Sequence, residues 1–120
     1  GFHGLLAALD WAEENPCAVP AVLELLSALR SGLAAAGARV IAPEGECTPV
    51  VSFTVPGVPA SEIGYMLSEG AGIVCRTGLH CAPRVFRCLG VPETVRLSLS
   101  RFTTELEVEE TVAALSAALS

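Results

Sequence analysis

Thr94-Val95-Arg96-Leu97-Ser98-Leu99, running on through Ser100-Arg101-Phe102-Thr103-Thr104-Glu105-Leu106-Glu107, is the stretch whose reading decides the fold. Its first six residues alternate, with Val95, Leu97 and Leu99 on one face and Thr94, Arg96 and Ser98 on the other, the period of a half-buried strand. Thr104 with Glu107 is a capping box, in which each side chain satisfies the other residue's backbone N–H. A helix must follow, and Val108, Val112, Leu115 and Leu119 share one face of it. A strand wet on one face that leads into an amphipathic helix is a building unit of an α+β layer.

Upstream, Val50 to Val55 alternates in the same way, and Arg39-Val40-Ile41 reads as a short strand ahead of a Pro43-Glu44-Gly45-Glu46 turn. Ile73-Val74-Cys75-Arg76 reads as a further strand. It follows a short helix over Pro59 to Ser68, with Ile63, Met66 and Leu67 inward, that Gly70 to Gly72 breaks. Two helices open the chain. Leu5, Leu6, Ala8, Leu9 and Ala12 make the first, stopped at Asn15-Pro16 because the residue before a proline disfavours the helical region. Val22, Leu25, Leu26, Leu29 and Leu33 make the second, and Gly37 suits the left-handed position beyond its end. A helical turn around Pro83 to Leu89 and a Gly90-Val91-Pro92 loop complete the pattern. The expected architecture is α+β, a small and mostly antiparallel sheet with helices packed on one face. The expected organisation is a single domain over residues 1–120.

The chain has 120 residues, 52% of them hydrophobic, enough for one core. A net charge of −6 argues against nucleic acid and anionic membrane surfaces as partners, since both select basic faces. No charge-free stretch reaches the roughly 18 residues of a membrane span, and the N-terminus lacks the basic start of a signal peptide, so a cytoplasmic setting is expected. Five cysteines, Cys17, Cys47, Cys75, Cys81 and Cys88, show neither paired zinc spacing nor a disulfide framework, and reduced thiols are expected. Cys75, His80 and Cys81 together do not reproduce a metal site. Mean hydropathy is +0.57 with only 17% charged residues, as in a domain that covers another surface or in a chain whose composition is simply biased toward alanine and leucine.

Chemistry concentrates in Arg76-Thr77-Gly78-Leu79-His80-Cys81-Ala82-Pro83 and in Arg96, fifteen residues after Cys81. A thiol, an imidazole and two guanidiniums share this region. The thiolate is the reactive form of cysteine, and neighbouring cations favour it, so Cys81 is the expected nucleophile. The other cysteines read as packing residues.

The octet resembles the C-terminal signature of class V aminotransferase-fold enzymes, the branch of pyridoxal phosphate-dependent cysteine desulfurases and selenocysteine lyases. Pro49 to Val55, the Thr94-Val95-Arg96 element and Phe102-Thr103-Thr104 before an acidic helix extend the resemblance over nearly the whole chain. Departures flank the site: Phe86 stands where many relatives carry histidine, Pro92-Glu93 replaces a glycine-containing turn and Thr103 replaces a common asparagine. They bear on substrate preference more than on reaction class.

What the resemblance implies is specific. The chain corresponds to the small C-terminal domain of a larger enzyme, with a large cofactor-binding domain preceding Gly1. The family's Schiff-base lysine and the aspartate facing the pyridinium nitrogen lie in that large domain. All seven basic residues here are arginines, Arg30, Arg39, Arg76, Arg84, Arg87, Arg96 and Arg101, so the isolated chain is expected to bind no cofactor and to be inactive. In the whole enzyme Cys81 takes sulfur from substrate cysteine, alanine leaves and a persulfide stays on Cys81. Arg96 binds the substrate carboxylate with its planar fork, Arg76 lines the site and His80 serves as acid or base. Cysteine or selenocysteine is the expected substrate, a sulfur-acceptor protein a possible partner and a homodimer the expected assembly. A stand-alone interaction or dimerisation domain is the alternative from another class.

Overall fold

A computed structural model describes residues 1–42 and 48–120; the expected turn over Pro43 to Glu46, and Cys47, lie outside the described residues. The elements are α1 (Phe2–Glu14), α2 (Val19–Ala35), β1 (Arg39–Ile41), β2 (Val50–Thr54), α3 (Ala60–Ala71), β3 (Arg76–Gly78), α4 (Pro83–Leu89), β4 (Thr94–Ser98) and α5 (Glu105–Leu119). The four strands form one sheet in the order β1-β2-β4-β3, and every pairing is antiparallel. The expected α+β architecture holds.

Alternation along β2 and β4 builds the core. Val51 and Phe53 on β2 meet Leu97 and Val95 on β4 in direct register, and all four are buried. Against this face pack Leu26, Leu29 and Leu33 of α2, Ile63 and Leu67 of α3, and Val108 and Leu115 of α5. Burial of each such side chain contributes about 1.5–3 kcal/mol. The capping box is present, with Glu107 N–H donating to Thr104 Oγ1 at 3.2 Å and Thr104 N–H donating to Glu107 Oε2 at 2.8 Å. α3 lacks a side-chain cap at its own first residues and borrows one: Ala60 N–H donates to Glu93 Oε1 at 2.7 Å, from a loop 33 residues on.

Expected boundaries move in four strands and helices, β4 ending at Ser98 and not at Leu99. α3 runs on to Ala71, because Gly70 is accommodated inside the helix and the left-handed stop is Gly72, φ +67°. β2 ends at Thr54, and Val55 instead bridges to Val58 across the Pro56-Gly57 turn. The strand expected over Ile73 to Arg76 is shifted to Arg76–Gly78. Ile73 N–H is spent on the Leu67 carbonyl at the helix exit, so pairing with β4 begins only where Arg76 meets Arg96.

α1 stands apart. None of its residues is buried, and Phe2, Leu5, Leu6 and Leu9 are exposed. Its tie to the body is Trp11, whose ring lies 5.9 Å from that of Phe102 while the Arg101 guanidinium sits 4.7 Å above it. No single described helix is long and apolar enough to cross a membrane; α1 and α2 meet that test only as a pair bent by 91°.

Candidate active site

Helices α2, α3 and α5 cover one face of the sheet, and the opposite face carries the charged side chains. By register Ile41 lies beside Ser52, Ser52 beside Arg96, and Arg96 beside Arg76, a row across all four strands. Strand alternation puts these residues on the face opposite Phe53 and Val95. Arg76 is exposed and Arg96 half-buried, so two arginine side chains leave this face from directly paired positions. Such a pair offers up to ten N–H donors to an anion.

β3 delivers the thiol. Gly78, φ +101°, ends the strand, and Leu79 to Ala82 turn back with Ala82 N–H donating to the Leu79 carbonyl at 2.8 Å. The two central residues of this turn, His80 and Cys81, hold φ of +49° and +61°. They are the only non-glycine residues with positive φ among the described ones. Two consecutive left-handed residues closed by this bond have the pattern of a type I′ turn. L-residues adopt it at a cost of about 1–2 kcal/mol each, and strain of this kind concentrates at functional positions. Pro83 then starts α4, its fixed φ suited to the first helical turn. Cys81 is exposed at the tip.

His80 is the inner member of the pair. Its Nε2 lies 2.9 Å from Thr94 Oγ1, and its ring sits 5.8 Å from that of Phe86, tilted 47°. Nδ1 is sealed from solvent without a partner among the described residues. Burial and the Arg96 guanidinium lower its pKa below the ordinary 6.5, Arg76 adds to them, and the Thr94 hydrogen bond acts in the opposite sense. The ring is therefore neutral at pH 7.

The sequence-predicted residues divide as follows. Arg76 and Arg96 meet in register, His80 reports both of their charges, and Cys81 caps the adjacent turn. Cys75 is half-buried against the core, where burial pushes its thiol pKa above the ordinary 9.0, so it packs as expected. Cys17 and Cys88, also expected to pack, are exposed instead, one in the α1–α2 connection and the other on the outer side of α4. Sequence reading passed over Thr94 and Ser52 as site residues. The signal for Thr94 was present: it lies two positions before Arg96 and so on the same strand face.

The family pattern described as Aminotransferase class-V matches residues 1–111. The chain belongs to the class V aminotransferase family. Among curated members, a probable cysteine desulfurase of Xylella fastidiosa (strain 9a5c) is 33% identical over 118 residues, 96% of this chain and 28% of that protein. Probable cysteine desulfurase 2 of Mycobacterium leprae is 38% identical over 100 residues, 80% of this chain and 23% of that protein. Among solved structures, the cysteine desulfurase CsdA of Escherichia coli in an S-sulfonic acid form superposes with a TM-score of 0.87 at 30% identity, covering 97% of this chain and 29% of that one. The apo cysteine desulfurase of Thermococcus onnurineus NA1 gives 0.74 at 29% identity, over 78% and 24%. This class V aminotransferase chain thus spans less than a third of the length of the relatives it matches.

Proposed function

We propose that these residues are the small domain of a pyridoxal phosphate-dependent cysteine desulfurase, with Cys81 as the sulfur-accepting nucleophile. The observation that carries the reading is the exposed Cys81 thiol on a left-handed turn beside the sheet face that presents Arg76 and Arg96. The cysteine desulfurases among its relatives support the reaction class.

The cofactor does not fit this chain's own residues. Pyridoxal phosphate is held through a lysine Schiff base, and the chain contains no lysine. Its site is assigned to a part of a longer polypeptide outside these 120 residues, in keeping with the share of the relatives that the chain spans. When bound, the cofactor supplies the electron sink for breaking the substrate's carbon–sulfur bond.

This chain's residues serve the substrate side. Arg96 takes the α-carboxylate as a bidentate fork, and Arg76 beside it strengthens the anion-binding face. The Cys81 thiolate attacks the substrate sulfur. A sulfur–sulfur bond forms as the carbon–sulfur bond breaks, the electron pair stays on the carbon side, and protonation there gives alanine. A persulfide remains on Cys81, exposed for transfer to an acceptor protein. His80 supports the turn. Thiol chemistry of this kind belongs in a reducing compartment, so we assign the protein to the cytoplasm. Selenocysteine is the second substrate the same residues could accept, and a homodimer is the proposed assembly. The chain by itself is proposed to be inactive.

The exposed apolar side of α1 favours a second reading, a stand-alone dimerisation domain. Kinetics of the whole enzyme separate the two. Arg96→Ala should raise KM for cysteine about tenfold or more, the loss of a charged, bidentate contact. An unchanged KM would remove Arg96 from the carboxylate role, and absence of any cysteine turnover in the whole protein would favour the second reading.

A further inference from the structure

Thr94 is the most deeply buried polar residue among those described, 1% exposed, and it opens β4 opposite Gly78, the last residue of β3. A buried hydroxyl needs a hydrogen-bond partner, and this one has His80 Nε2 at 2.9 Å. On its other side the His80 ring rests on Phe86, itself 7% exposed and on α4. β4 and α4 therefore grip one imidazole from two directions. That imidazole belongs to the first of two consecutive residues held left-handed, and the second is Cys81.

We propose that Thr94 is a positioning residue for Cys81, its hydroxyl bracing His80 against Phe86 so that the turn keeps the left-handed form that presents the thiol. The inference rests on the reading of Cys81 as nucleophile. It goes beyond that reading in assigning the strain of the turn a support outside the octet. Neither His80 nor Cys81 is a glycine, so the local sequence does not favour this backbone. Something outside the turn must hold it, and the hydroxyl of Thr94 is the polar contact that does. The tautomer of His80 decides the donor: Nε2–H donates to Thr94 Oγ1, or the hydroxyl donates to a bare Nε2. Both forms orient the ring.

The test compares Thr94→Val, which keeps shape and strand preference but removes the hydroxyl, with Thr94→Ser, which keeps the hydroxyl. Nuclear magnetic resonance of the labelled chain reads the His80 ring nitrogen shifts and the backbone couplings of His80 and Cys81. Steady-state kinetics of the whole enzyme read kcat and KM for cysteine. Thr94→Val should shift the Nε2 signal, move the couplings off their left-handed values and lower kcat about tenfold with KM unchanged. Thr94→Ser should restore all three. Phe86→Leu, which removes the ring but keeps most of the volume, should reproduce the coupling change independently. Wild-type couplings and kcat in Thr94→Val would overturn the proposal, as would a Thr94→Ser variant that behaves like Thr94→Val. Failure of the functional reading looks different: Cys81→Ser would then keep cysteine turnover, while the coupling measurements would still report on the brace.

Discussion

Arg76 and Arg96 are cross-strand partners, directly opposite each other where β3 pairs with β4 and on the sheet face opposite the core packed by α2, α3 and α5. Like charges in this relationship are destabilising by themselves, and such a pair persists where an anion is to be bound between or above them. The pair is the electrostatic centre of the site in a chain of net charge −6.

Removing one member should therefore stabilise the fold. Arg76→Gln, which keeps much of the side-chain stem, is expected to raise stability by about 0.2–1 kcal/mol, a gain of a few degrees in Tm for a domain of this size. Thermal unfolding at low salt checks it, and added salt should shrink the difference. A fall in Tm would mean that Arg76 is held by favourable contacts instead.

His80 makes stability depend on pH in a predictable direction. Its folded pKa is lowered by burial and then by Arg96, below the ordinary 6.5. In the window between the two values the unfolded chain binds the extra proton, so the contribution of His80 is complete above about 6.5 and is lost as pH falls through the folded value. Denaturant unfolding at about pH 5.5 and about pH 7.5 compares conditions on either side of the ordinary 6.5. The wild-type protein should lose more stability between the two conditions than His80→Gln does, the carboxylates common to both cancelling in the comparison. Equal losses would contradict the assignment.

Close packing of α3 on β3 sets where Arg76 stands. A Cβ at Gly64 would come within 2.5 Å of Thr77 Cγ2, and threonine, branched at Cβ, has little freedom to yield. Gly64→Ala is expected to destabilise by about 1–3 kcal/mol despite alanine's better helix propensity. Thr77→Ser removes the obstructing methyl and should recover most of that loss in the double variant. Additive effects in the double-mutant cycle would show that the two residues do not meet.

Glu93 links the loop before β4 to the start of α3. Glu93→Ala should cost about 1–2 kcal/mol through the bare Ala60 N–H, and Glu93→Gln should cost less, since the amide oxygen still accepts. Urea titration of the three proteins measures the order.

Much of this was legible beforehand, for local reasons. The alternation of Thr94 to Leu99 and the Thr104–Glu107 box are complete within a few residues, and the box appears where the sequence puts it while the strand stops one residue short, at Ser98. Ile73-Val74-Cys75 misled because an apolar, β-branched run reads as strand. Its first N–H instead closes the end of α3, and Val74 is 90% exposed. Cys81 and the two arginines were visible as residue types, but the meeting of Arg76 with Arg96 was not, since their register depends on where β3 begins. The left-handed turn was hidden because neither residue is a glycine or asparagine, and the enrichment of histidine at positive φ is too weak to mark a single position. Thr94 and Phe86 join His80 only when β3, α4 and β4 close on one another, a tertiary relationship that no local pattern encodes.

The central claim is that Cys81 receives sulfur. The most direct measurement incubates the whole enzyme with cysteine, digests it without reductant, and weighs the peptide that contains Cys81. The account predicts a gain of one sulfur atom on that peptide, matched by release of alanine and absent from the peptides of Cys17, Cys47, Cys75 and Cys88. Alanine release with Cys81 unmodified, or with the added sulfur on another cysteine, would contradict it.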